Sequence, residues 1–350
     1  MSDVAELTMV EALNRALHEA FSSDDRVVLL GEDVAKTGGV FRVTAGLLNE
    51  YGGERVIDTP LSEAGIVGSA VGLSLYGLLP VVEIQFDGFV YPAFEQIIVH
   101  VARYGWRTNG ECPANMVIRI PFGGGVRAPE LHSDSPEALF AHSPGLKIVC
   151  PTTPSDARAM LLAAIAHPDP VIFMEPKRIY RAGRQEVADD MPFDLGSGNG
   201  EASSLLSTAR LAYPSGGSAE HTARKDDELV ILSYGATVPL SVEAAEKLGA
   251  ERDTQVRVVD LRSLYPLDVE AITRHASECG RALVVHEAPR TAGIGAEVSS
   301  LVHERAMLDL DAPVGRVTGF DVPFPQFANE DDYLPSVDRI VRGAEKVLSF

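Results

Sequence analysis

Short runs dominated by β-branched residues recur along the first half of the chain: VVLLG (27–31), VVEIQF (81–86), MVIRI (116–120), LKIVCP (146–151) and VIFME (171–175). Helical patterns such as YPAFEQIIVHVARYG and PSDARAMLLAAIAH separate them. This alternation constrains the fold more than any other feature. A strand apolar on both faces must be covered on both faces, and parallel neighbours need crossover helices to connect them. After a change of texture the same alternation resumes with ELVILSYG, VPLSVEAAEKLG, VRVVDLRSL, PLDVEAITRHASECG, ALVVHEAP and GAEVSSLVHERAM, ending in a strand near GRVTGF and the helix SVDRIVRGAEKVL. The chain therefore reads as α/β with two domains, each a mostly parallel sheet flanked by helices, at 1–190 and 228–350. Between them, 191–227 is dense in Gly, Ser and Ala and reads as a linker. With 350 residues and 45% hydrophobic content, two cores can be filled.

Charge and cysteine usage exclude whole classes of function. Thirty basic against fifty acidic residues leave a net charge of −20, which repels phosphate backbones and argues against nucleic-acid binding. Such a surface suits solubility or a basic protein partner. Cys112, Cys150 and Cys279 are far apart and form no CxxC pair, so neither a disulfide framework nor a zinc site is predicted. The opening MSDVAEL lacks the pattern of a secretion or transit signal, and a cytoplasmic location is expected. The longest uncharged run, Ile66 to Val82, is broken by Gly68, Ser69, Gly72 and Ser74 and ends at Gly77 and Pro80, so no membrane span is predicted.

Two positions carry candidate chemistry. In DTPLSEAGIVGSAVG (58–72), Glu63 opens a helix beginning at Leu61 or Ser62 whose other residues are small or apolar. One reading is dipole stabilisation by a carboxylate at a helix start, worth about 0.3–1 kcal/mol. The other is chemistry: Ala64, Gly65, Gly68, Ser69, Ala70 and Gly72 leave room for a helix or a flat ligand, and desolvation would raise the acid's pKa. His132 lies in PFGGGVRAPELHSDSP after the strand ending at Ile120, where α/β sheets place ligands. Its other reading is a local turn contact to Ser133 or Asp134. The triple glycine is weak evidence for phosphate, since no GxxxxGK[ST] follows. Phe86, Phe89, Tyr91 and Phe94 form either core or the wall of a ring-shaped site. For His142 and Arg178 a structural role is the expectation.

Taken in order, DTPLSEAGIVG, EIQFDGFVYPAFEQI, LHSDSPEALFAHSPGLKIVCP and MEPKRIYR resemble the β subunit of the thiamine-diphosphate-dependent, decarboxylating component of 2-oxo acid dehydrogenase complexes. EIQFDGFVYPAFEQ and EPKRIYR look more like the branched-chain 2-oxo acid type than the pyruvate type. The resemblance implies that Glu63 hydrogen-bonds a nitrogen of the cofactor's aminopyrimidine and relays a proton. It implies that His132 acts in acid–base steps as the acyl group passes to a lipoyl arm, and that Phe89, with Phe86 nearby, lies at the pyrimidine. A potassium site of backbone carbonyls would map onto Met116, Ala164, Ile165, His167 and Asp169, although His167 and Asp169 depart from the usual Asp and Asn. Enzymes that hold the diphosphate alone do so through Mg²⁺ on a GDG segment, and this chain has none. The resemblance thus implies an α subunit that holds the diphosphate and Mg²⁺, a heterotetramer of two α and two β chains, and docking to a lipoyl acyltransferase core. A non-catalytic scaffold subunit and a self-sufficient transketolase-like enzyme are the competing readings.

Overall fold

The computed structural model describes residues 5–187, 193, 209–214 and 227–350. In chain order the first half contributes β1 (Ala5–Leu7), β2 (Val27–Gly31), β3 (Val56–Asp58), β4 (Leu79–Glu83), β5 (Val117–Phe122), β6 (Lys147–Val149), β7 (Val171–Pro176) and β8 (Gln185–Val187). The second half contributes β9 (Arg210–Tyr213), β10 (Leu229–Ser233), β11 (Val256–Asp260), β12 (Ser263–Tyr265), β13 (Ala282–Val285) and β14 (Gly315–Val317). β2 to β7 form parallel pairs in a seven-stranded sheet of order β12-β6-β7-β5-β4-β2-β3. A five-stranded sheet, β14-β13-β10-β11-β9, makes the second domain. β1 and β8 close a small antiparallel ribbon.

Alternate residues of each central strand serve different cores. Val27, Leu29, Val81, Val117, Val171 and Phe173 pack under the helices Met9–Ser23 and Pro154–Ala166. Val28, Leu30, Val82, Ile118, Ile172 and Met174 face the helix Glu63–Leu75 and the segment 87–107. That second core continues through Val230, Leu232, Val259, Ile272, Val284 and Val298, so the two domains share it. Helix starts follow their caps: Thr8 with Glu11 forms the complete capping box, and Ser62, Thr153, Asp268 and Ser336 cap four more helices.

Three sequence expectations need correction. VRVVDLRSL is not one strand: Arg262 turns with φ +54, leaving β11 in the second sheet and sending β12 antiparallel onto β6 of the first. The stretch read as a linker contributes β9, an antiparallel edge strand on β11. YPAFEQIIVHVARYG is not a uniform helix, because residues Asp87–Ala93 are 3₁₀ and Gln96–Val101 widen to a π turn before Ala102–Arg107. Across the first sheet, Glu83, Arg119 and Glu175 meet in a buried ion cluster: Arg119 Nη1 lies 2.5 Å from Glu83 Oε2, and its Nε lies 2.7 Å from Glu175 Oε1. Among the described residues no helix is long and apolar enough to cross a membrane.

Candidate active site

The loops leaving the carboxyl ends of β2, β3, β4, β5 and β7 converge, as expected for a parallel sheet. After β3, the Asp58 carboxylate accepts the backbone N–H groups of Ala35 (2.7 Å) and Lys36 (3.3 Å), tying the β2 loop to the turn before Glu63. Ser62 Oγ then accepts Gly65 N at 3.3 Å, which makes Glu63 the first helical residue and leaves its carboxylate half-buried. Directly after β2 stands Glu32, which is 5% exposed and whose Oε1 has no hydrogen-bond partner among the described residues. Burial, followed by the neighbouring charges of Glu63 and Asp33, raises the Glu32 carboxyl above its ordinary range. Two carboxylates in unlike surroundings, one of them short of a partner, can share a proton with a ligand between or beside them.

The facing wall is aromatic. Gln85 Nε2 donates to the Glu32 carbonyl (3.3 Å) and to Asp33 Oδ2 (3.0 Å), fixing the strand end that carries Phe86. The His132 ring packs against Phe86 and Phe89, with centroid separations of 4.3 and 4.9 Å. His132 Nδ1 lies 2.8 Å from the Glu130 carbonyl. A carbonyl can only accept, so Nδ1 is the donor, and Nε2 of the neutral ring is left as the proton acceptor.

Beneath this wall a buried ion pair fixes the histidine loop. Lys177 Nζ donates to Asp87 Oδ2 at 2.7 Å and to the His132 carbonyl. Asp87 Oδ1 accepts Gly88 N (2.7 Å) and Asp134 N (3.0 Å). Burial outweighs the lysine and pushes the Asp87 carboxyl up to about 6. A Cβ at Gly88 would stand 2.3 Å from the Leu131 carbonyl oxygen, so glycine is what allows the two loops to touch.

The triple glycine binds the chain's own carboxylates. Gly123 and Gly125 take φ of +78° and +93°, which turns successive N–H groups inward. Gly124 N donates to Glu287 Oε2 (3.1 Å), while Gly125 N (2.5 Å) and Arg127 N (3.3 Å) donate to Glu330 Oε1. Both acids come from the second domain. Arg178 packs its side chain against Gly125, and the His142 N–H closes the helix Glu137–Ala141 onto the Ala138 carbonyl at 3.1 Å.

Glu32, Phe86, Phe89 and His132 thus line the same end of the sheet as Glu63, whereas the five potassium positions lie at the opposite, amino-terminal edge. There the Met116 carbonyl accepts Val171 N (2.9 Å) and the Ala164 carbonyl accepts His167 N (3.3 Å). His167 Nδ1 accepts Asp169 N at 3.0 Å, and the Asp169 carboxylate lies 3.9 Å from Lys147 Nζ. These side chains are engaged with one another and with the backbone, and no step is derived through a cation at this edge. Sequence reasoning missed Glu32, Asp87, Lys177, Glu287 and Glu330. Glu32 alone had a usable signal, its place directly after an all-apolar strand.

Comparison with known proteins agrees with this architecture. The transketolase pyrimidine-binding domain matches residues 5–183, and the transketolase C-terminal domain matches 217–340. The chain is 43% identical over 349 residues to 3-methyl-2-oxobutanoate dehydrogenase subunit beta of Mycobacterium tuberculosis H37Rv, covering 99% of this chain and 94% of that one. It is 44% identical over 347 residues to the pyruvate dehydrogenase E1 component subunit beta of Leifsonia xyli subsp. xyli, covering 99% and 96%. The corresponding Staphylococcus epidermidis RP62A subunit is 42% identical over 349 residues, covering 99% and 100%. The solved split-gene transketolase, an inactive beta4 tetramer, shares the fold with a TM-score of 0.74 and 22% identity over 99% of each chain.

Proposed function

The chain belongs to the β subunits of the thiamine-diphosphate-dependent decarboxylating component of 2-oxo acid dehydrogenase complexes, and from that premise we propose that it is the catalytic β half of such an enzyme. The observation that carries the reading is that Glu63, buried Glu32 with an Oε1 lacking a partner among the described residues, and the Phe86–Phe89–His132 cluster all stand at the carboxyl end of one sheet. A flat heteroaromatic ring needs apolar faces and a proton-sharing edge, and both kinds of group are present. Thiamine diphosphate, when bound, supplies the electron sink for decarboxylation.

Glu63 would hold the aminopyrimidine through a hydrogen bond to a ring nitrogen and pass a proton there. Phe89, with Phe86, would orient the ring. His132, its Nε2 free to accept, would serve the proton transfers as the acyl group moves to a lipoyl arm. With no GDG segment in the sequence, the diphosphate and Mg²⁺ are assigned to an α subunit in a heterotetramer of two α and two β chains. The lipoyl acyltransferase core is the proposed further partner, and the cytoplasm the proposed location. The favoured substrate is a branched-chain 2-oxo acid, read from EIQFDGFVYPAFEQ and EPKRIYR. Pyruvate is the second reading, favoured by the 44% identity to the Leifsonia subunit.

The test is reconstitution with an α subunit and assay of decarboxylation with 3-methyl-2-oxobutanoate against pyruvate. Glu63→Gln is expected to lower the rate about 10²–10⁴-fold with assembly intact. An inactive pair with every 2-oxo acid, or full activity of Glu63→Gln, refutes the catalytic reading. Tight thiamine diphosphate binding by the isolated chain refutes the α-subunit assignment.

A further inference from the structure

Arg290, Arg316, Arg339 and Arg342 line one open cleft of about 360 Å³ on the second domain, with Thr318 and Asp321 on its walls. Among the described residues none of the four guanidinium groups forms an ion pair within 4.0 Å, although the chain carries fifty acidic side chains and the Arg290 backbone N–H reaches the Asp321 carboxylate. Three arginines elsewhere find acids: Arg158 meets Glu19 at 2.6 Å, Arg257 meets Asp227 at 2.8 Å and Arg281 meets Asp311 at 3.2 Å.

The cleft arginines are held by neutral acceptors instead. Arg290 Nη1 donates to the Arg316 carbonyl (3.0 Å), and Arg316 Nη1 donates back to the Arg290 carbonyl (3.2 Å). Arg339 donates to the carbonyls of Tyr333 (2.8 Å), Leu334 (3.0 Å) and Thr318 (2.6 Å), and its guanidinium lies 4.5 Å from the centre of the half-exposed Phe320 ring. Bonds of this kind fix direction without cancelling charge. Burial and the neighbouring arginine lower the pKa of both Arg316 and Arg339, so the like charges crowd one another. The acid in the cleft, Asp321, accepts Thr291 N (2.8 Å) and Oγ1 (2.7 Å), and its charge offsets part of that of Arg290 and Arg316, leaving the cleft with a surplus of positive charge.

We propose that this cleft binds a phosphate-class dianion, carried by a small phosphorylated ligand. Planar guanidinium forks match phosphate oxygens in pairs, and four cations lining one cleft answer a double charge better than a single one. The cleft volume lies within the range of small-ligand sites. The inference does not depend on the catalytic reading, because its readout is binding.

Inorganic phosphate is titrated calorimetrically into the full chain at constant ionic strength, with acetate as the carboxylate arm and with Arg290→Ala and Arg342→Ala in parallel. Saturable phosphate binding, weakened at least about tenfold in each variant and for acetate, is the expected result. Circular dichroism checks folding. Should Arg290→Ala fail to fold, the exposed Arg342 decides the matter. No saturable binding, equal binding by parent and variants, acetate binding as tightly as phosphate, or loss of the phosphate site when the α subunit is added would each overturn the proposal, the last because a protein carboxylate would then fill the cleft.

Discussion

Lys177 shows how one side chain can govern a site it does not line. Its ammonium is fully buried and is divided between Asp87 and the carbonyl of His132. Removing one partner of a buried pair leaves an uncompensated charge, so Lys177→Met is expected to cost about 3–5 kcal/mol in urea unfolding. The double variant Lys177→Met/Asp87→Asn should recover part of that loss. If it recovers none, the ion pair is not what the lysine supplies. Glu63 and Glu32 make the complementary point: the carboxyl at the helix mouth was visible as a charge in an apolar run, while its buried neighbour became meaningful only once the β2 and β3 loops met.

At the level of elements, small residues perform different tasks that a glycine count would merge. In the helix Glu63–Leu75, a Cβ at Gly68 would stand 3.2 Å from Gln96 Oε1, so the neighbouring segment already uses that approach, while nothing lies within 4 Å of one at Gly72. Gly72→Ala should therefore stabilise the isolated chain by about 0.5–1 kcal/mol, the helix-propensity gain. Gly88→Ala should do the reverse, costing about 1–3 kcal/mol because the new methyl meets the Leu131 backbone, with thermal unfolding of the two variants as the check. The elements that escaped sequence reading share a cause. β3 spans three residues and β9 lies in a polar, glycine-rich stretch, so neither offers a period long enough to detect.

The whole molecule is clasped across its domain boundary. β12 extends the first sheet, the Glu63-side core runs into the second domain, and Glu287 and Glu330 hold the loop that leads to His132. Burial pushes the Glu287 carboxyl up to about 7 from an ordinary 4.5. A carboxyl raised on folding contributes stability that is fully present below its unfolded pKa and lost as the pH rises through its folded value. The parent should thus lose part of its stability between about pH 4.5 and 7 through this group. Glu287→Gln, which keeps an acceptor for Gly124 N, should flatten that segment of the melting-temperature profile; an unchanged slope would exclude Glu287 as its source.

The sequence by itself determined the class of fold and the sites where chemistry was to be sought, because parallel strands must be apolar on both faces and their carboxyl ends must face a crevice. Four ordered motifs, from DTPLSEAGIVG to MEPKRIYR, also sufficed to point to the family. Tertiary structure alone decided that Glu32 stands beside Glu63, that the triple glycine holds carboxylates from the other domain, and that VRVVDLRSL divides between two sheets. Each of those joins residues far apart in the chain. Local propensity and periodicity carry information only over a turn or a strand, so contacts of that range are written in packing and not in pattern.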